Sequence, residues 1–109
     1  MPTVILTEQD IGRRVVVSPG AAIMLRLPEN PTSGFRWHAD SEPPDGMALE
    51  DDSFEAPSPM QPGAAGQRVF SFRVQTAGQV RLRAKLWRAW EGEKSVTARH
   101  EFPIEVTTL

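Results

Sequence analysis

Val80-Arg81-Leu82-Arg83-Ala84-Lys85-Leu86 alternates between apolar and cationic residues without a break. A strand sends successive side chains to opposite faces. This period of two therefore predicts a half-buried β-strand, with Val80, Leu82, Ala84 and Leu86 inward and Arg81, Arg83 and Lys85 on a solvated face. The pattern recurs on both sides. Phe70, Phe72 and Val74 alternate with Ser71 and Arg73. Downstream, Val96, Ala98, Phe102, Ile104 and Val106 share a face opposite Thr97, Arg99, Glu101 and Glu105, and His100 falls on the apolar parity at the core edge. Upstream, Ile23, Leu25 and Leu27 mark a strand, Arg13 to Val17 another, and Thr3 to Leu6 an edge strand. Arg36 to Ala39 and Met47 to Asp51 carry shorter, less regular patterns.

Turn-forming clusters separate these runs: Ser18-Pro19-Gly20, Pro43-Pro44-Asp45-Gly46, the stretch from Pro57 through Gly66, and Ala77-Gly78. Ten prolines in 109 residues disfavour helices, and no apolar period of 3.6 residues runs far enough to predict one. The expected fold is all-β: an immunoglobulin-like antiparallel β-sandwich of about seven or eight strands, formed by residues 1–109 as one domain. Without cysteine it cannot have the Cys…Trp…Cys core of antibody domains.

Composition narrows the function. The absence of cysteine removes disulfides, thiolate metal sites and a cysteine nucleophile. A net charge of −2 argues for neither nucleic acid nor a membrane surface as partner, and no apolar run approaches the ~20 residues that span a bilayer. Met1-Pro2-Thr3-Val4 lacks the basic start and apolar stretch of a signal peptide. The expected compartment is the cytoplasm, or the periplasm or exterior if a leader has been removed. No metal or cofactor is expected. Glu50-Asp51-Asp52 lacks the spacing and central glycine of a calcium loop, and His38 with Asp40 has no third zinc ligand. The two histidines, His38 and His100, lie on distant segments, and no serine sits in a nucleophile-elbow glycine pattern, so the chain does not read as an enzyme.

Three connections carry unusual residues. Asn30-Pro31-Thr32-Ser33-Gly34-Phe35-Arg36-Trp37 combines a fixed proline φ of about −65° with a glycine free to take positive φ, which suits a stiff, protruding loop. It also suits an ordinary hairpin turn. Trp37 fits the core better than Phe35 does. Gly63-Ala64-Ala65-Gly66 permits close backbone approach or simple flexibility. Leu86-Trp87-Arg88-Ala89-Trp90-Glu91-Gly92-Glu93 crowds two Trp and an Arg, the residues most enriched in binding hot spots, where the chain should reverse. Two strands separate each of these connections from the next, so a sandwich can gather all three at one end.

In this order the three stretches resemble the chagasin family of cysteine-protease inhibitors. That family is marked by an N-P-T-[TS]-G-[YF]-x-W loop, a G-x-x-G loop and an R-P-W-like loop after a long strand. Asn30 to Trp37 matches the first throughout, Gly63 and Gly66 the second, and Arg88 and Trp90 the third, with Ala89 where the family usually has proline. The likeness runs from about Ile23 to Phe102. It implies reversible, tight-binding inhibition of papain-like (clan CA) cysteine peptidases by a wedge of three loops that occludes the active-site cleft. Asn30, Pro31, Thr32, Ser33, Gly34 and Phe35 would then enter the cleft. Arg88 and Trp90 would brace its primed side, and Gly63, Ala64, Ala65 and Gly66 would line the other. A wedge must leave its rim free, so a monomer is expected. The competing reading is a carbohydrate-binding or adhesive β-sandwich module in which Trp87 and Trp90 stack on sugar rings.

Overall fold

The inward residues of the Val80–Leu86 run build the core as their parity requires. Val80, Leu82 and Ala84 are buried, and Phe70, Phe72, Val74, Phe102, Ile104 and Val106 meet them there. The computed structural model describes residues 3–57 and 65–108. It has eight strands: β1 (Thr3–Leu6), β2 (Val15–Val17), β3 (Ala22–Glu29), β4 (Arg36–Glu42), β5 (Met47–Glu55), β6 (Gly66–Val74), β7 (Gly78–Trp87) and β8 (Ala98–Val106). They form two four-stranded sheets, ordered β1-β3-β6-β5 and β2-β8-β7-β4, whose inner faces enclose the core. Among the described residues the only helical pieces are single 3-10 turns. Trp37 belongs to the core, 7% exposed, with its indole N–H donating to the Pro28 carbonyl at 2.8 Å.

The less regular segments proved longer than their patterns indicated. Arg36 begins a strand that reaches Glu42, and Met47 one that reaches Glu55 with a bulge between Leu49 and Asp51. Conversely, Arg13 and Arg14 fall outside β2. A 3-10 turn capped by Thr7 holds this stretch, with Arg13 N–H on the Asp10 carbonyl and its guanidinium on the Asp10 carboxylate at 3.0 Å. Val96 likewise precedes β8 and ends a turn. The sheets are antiparallel except at two edges, where β1 runs parallel to β3 and β2 to β8. Each parallel pair is separated by an even number of reversals, so the chain returns in its original direction. The cationic face of β7 is a paired surface: Arg83 reaches Asp40 and Glu42 at 2.9 and 2.7 Å, and Lys85 reaches Glu93 at 2.6 Å.

One end of the sandwich is organised around a charge inside it. Glu29 is 3% exposed and Arg68 8%. The guanidinium grips the carboxylate through Nη2 at 2.8 Å and Nε at 3.1 Å, and its other arm reaches Asp52 at 3.2 Å. Glu29 Oε1 also accepts the backbone N–H of Trp37 at 2.8 Å, tying β3 in one sheet to β4 in the other. The Glu29 carboxylate holds the Arg68 guanidinium above its ordinary pKa against the opposing effect of burial, so the guanidinium keeps its charge. Removing one partner strands the other charge in a poorly hydrated site. Glu29→Ala is expected to cost about 3 kcal/mol of unfolding free energy, measured by urea denaturation. Arg83→Ala, which breaks exposed pairs, should leave the urea midpoint nearly unchanged in the same assay.

Candidate functional site

The pairing register places three connections at the Glu29 end. Glu29 pairs with Gly66, Glu55 with Gln67, and Arg36 with Trp87, so the β3–β4, β5–β6 and β7–β8 connections all leave from that rim. Arg68 and Glu29 lie directly beneath them.

The β3–β4 loop is ordered by its own polar groups. Asn30 caps a 3-10 turn over Pro31–Ser33, and its Oδ1 accepts the Thr32 N–H at 3.0 Å and the Thr32 hydroxyl at 2.7 Å. The Ser33 hydroxyl donates to the Asn30 carbonyl at 2.8 Å and accepts the Phe35 N–H at 3.1 Å. Gly34 has φ +81°, a left-handed conformation that side chains resist. Both hydroxyl protons are thus spent within the loop. The exposed surface offered by Pro31, Thr32 and Ser33 is backbone and side-chain carbon as much as hydroxyl.

In the β5–β6 connection, Gly63 and Ala64 lie outside the described residues. Ala65 is exposed, whereas Gly66 is buried as the first residue of β6. A Cβ on Gly66 would collide with the Glu55 carbonyl and the Phe54 ring. This glycine is what allows Phe54 to close over the Arg68 guanidinium, 5.6 Å from the ring centre.

The β7–β8 connection is two consecutive 3-10 turns, Ala89–Glu91 and Glu93–Ser95, joined at Gly92. Ser95 Oγ accepts the Arg88 N–H at 2.9 Å and shares its proton between the carbonyls of Arg88 and Gly92 at 2.9 and 2.7 Å. Glu93 bridges Lys85 on β7 and Arg99 on β8, each at 2.6 Å. Lys85, then Arg99, holds the Glu93 carboxyl below its ordinary 4.5. The loop is therefore fixed despite having Ala89 where a proline would have stiffened it. Trp90 stands at its tip, 72% exposed.

The first and third loops touch. A Cβ on Gly34 would lie 3.5 Å from both Arg88 Nε and the outer edge of the Trp90 indole. The Arg88 guanidinium stacks 4.4 Å from the Phe35 ring centre, and its Nη2 donates to the Ser33 carbonyl at 3.2 Å. The structure thus joins Ser33, Gly34, Phe35, Arg88 and Trp90 into one surface, with Asn30, Pro31 and Thr32 adjoining it. Trp87 is apart: Lys85 lies over its ring at 3.7 Å and the His38 ring packs tilted at 6.1 Å, so the indole is engaged by its own sheet.

Sequence reading overlooked Glu29, Arg68, Glu93 and Ser95. The first two were within reach. Glu29 continues the inward parity of Ile23, Leu25 and Leu27, and Arg68 that of Phe70, Phe72 and Val74, so opposite charges on two core faces implied a buried pair. Nothing in the spacing of Ser95 signals its bonds to Arg88.

A family model described as "Chagasin family peptidase inhibitor I42" matches residues 16–106. Chagasin of Trypanosoma cruzi is 28% identical over 91 residues, which are 80% of this chain and 83% of that protein. Among solved structures, the cysteine protease inhibitor EhICP2 from Entamoeba histolytica superposes with a TM-score of 0.81 at 22% identity, over 96% of this chain and 95% of the other. Amebosin gives 0.78 at 21% identity, over 98% and 100%. Motif order, sandwich topology and the family match over β2 to β8 agree, and the chain belongs to the chagasin family of peptidase inhibitors.

Proposed function

We propose that this protein is a reversible, tight-binding inhibitor of papain-like cysteine peptidases that fills the active-site cleft with its loop-bearing rim. The observation that carries this reading is the packing of the Asn30–Phe35 loop against Arg88 and Trp90, which makes one pre-formed surface with a protruding indole. Such a surface loses little conformational entropy on docking. A standard interface of roughly 800 Å² per partner can then bind tightly.

The backbone also supports resistance to cleavage. Peptidases hold substrates extended, whereas Pro31–Ser33 is a 3-10 turn followed by left-handed Gly34. Straightening it would break the Asn30, Thr32 and Ser33 bonds together. Asn30 to Phe35 form the centre of the wedge and Arg88 with Trp90 one flank. The family motif assigns Gly63, Ala64 and Ala65 to the other flank, with Gly66 as its buried footing. Trp87, with Lys85 stacked over its ring and His38 against it, leaves the sugar-binding alternative only Trp90 as a fully exposed indole.

Titration against papain should abolish activity at a stoichiometric ratio. Unchanged activity across several papain-like enzymes would overturn the assignment, and a cut between Asn30 and Phe35 after long incubation would overturn the cleavage argument. Trp90→Ala should weaken inhibition by about 2 kcal/mol or more, read as Ki, while leaving thermal stability unchanged. Ala89→Pro should be tolerated and mildly stabilising. Position 89 opens a 3-10 turn, its N–H makes no turn bond among the described residues, and Arg88 already has the extended φ and ψ of −105° and 107° that precede a proline. The expected gain is about 0.5 kcal/mol, seen as a higher Tm.

A further inference from the structure

Arg88 sits on the proposed contact rim, yet its guanidinium is turned toward its own protein. One face lies over Phe35, Nη2 donates to the Ser33 carbonyl, and Nη1 is 3.5 Å from Glu91. Nε is enclosed beside Gly34 and has no acceptor among the described residues. The backbone that carries it is held on both sides by Ser95. An arginine retained for a partner's carboxylate would project its planar fork outward. This one is engaged by Ser33 and Phe35 of the neighbouring loop and by Glu91 of its own.

Its target matters. In a planar trans peptide the carbonyl and the following N–H point in opposite directions. Binding the Ser33 carbonyl therefore fixes the Gly34 N–H pointing away from Arg88. That N–H makes no capping bond to the turn before it. Glycine tolerates φ of either sign, so nothing in Gly34 itself prevents the Ser33–Gly34 peptide from turning over. We infer that Arg88 is a positioning residue which latches this peptide plane and so aims the Gly34 N–H donor out of the wedge. The inference rests on the inhibitor reading for its consequence, but the latch itself is a property of the free protein.

The test uses the full chain, with Arg88→Ala and the better-conserved shape Arg88→Gln, both checked by thermal melting. In wild type, 15N relaxation should show Ser33 and Gly34 as ordered as the strands, and the Arg88 Nε–H should exchange slowly with solvent. In both variants those two amides should gain exchange broadening or lose order while the strand signals stay put. Inhibition of papain should weaken roughly tenfold, mainly through slower association, as fewer molecules hold a competent loop (Kd scales inversely with that fraction). Weaker inhibition with unchanged Ser33 and Gly34 relaxation would overturn the latch and make Arg88 a direct contact. Unchanged relaxation and unchanged inhibition would overturn it as well. If wild type fails to inhibit papain, the inhibitor reading falls, while the relaxation of the free variants still decides the latch.

Discussion

A carboxylate inside a β-sandwich must be matched, and the way Glu29 is matched governs the rim above it. Arg68 supplies a two-point grip from the neighbouring strand, Asp52 steadies the far side of the guanidinium, and Phe54 covers it. The remaining capacity of the Glu29 carboxylate goes to the Trp37 N–H on the opposite sheet. The two residues flanking the Asn30–Arg36 segment are thereby joined through a single side chain. Loop closure is expensive when its ends wander, and here the ends are pinned by a charged hydrogen bond in a site with little water. A hydrophobic pair could fill the same volume, but it could not accept the N–H that anchors β4.

The remainder of the rim extends this principle outward in layers. Gly66 admits Phe54, and Phe54 shields Arg68. Asn30, Thr32 and Ser33 close the first loop on itself, Ser95 and Glu93 close the third, and Arg88 joins the two. Surface ion pairs contribute little to stability individually. The Lys85–Glu93–Arg99 bridge is more informative as geometry: it fixes where the third loop leaves two adjacent strands.

How much of this was legible follows from which interactions have a period. Strand alternation is local, so the run from Val80 to Leu86 and its counterparts revealed the all-β fold and the faces of most strands, while the core position of Trp37 followed from the packing habit of a Trp beside a hairpin. The parallel pairing of β1 with β3 and of β2 with β8 was not legible, because it depends on which sheet each strand joins. The first loop was readable because proline and glycine act through their own backbone angles. The roles of Ser95 and Glu93 arise only after two turns have folded back on the end of β7, a relation that residue spacing does not encode. Glu29 and Arg68 lie between these cases. Their parity declared them inward, and only the habit of reading charge as surface hid the pair.

The division of labour on the rim bears on selectivity. Thr32 and Ser33 spend their hydroxyl protons on the loop, so what they present to a cleft is mainly main chain and carbon. Main-chain groups recognise features that related enzymes share, because those features are themselves main-chain grooves and an active-site constellation. Trp90 presents a large apolar face held by its edge against Gly34, and it gains only where a complementary surface exists. A rigid backbone wedge with one aromatic anchor should therefore bind a class of peptidases, with the anchor grading affinity within the class. The Glu29–Arg68 pair makes that possible at a distance: it gives a loop of small, internally bonded residues a fixed shape without using any of the surface proposed to meet the enzyme.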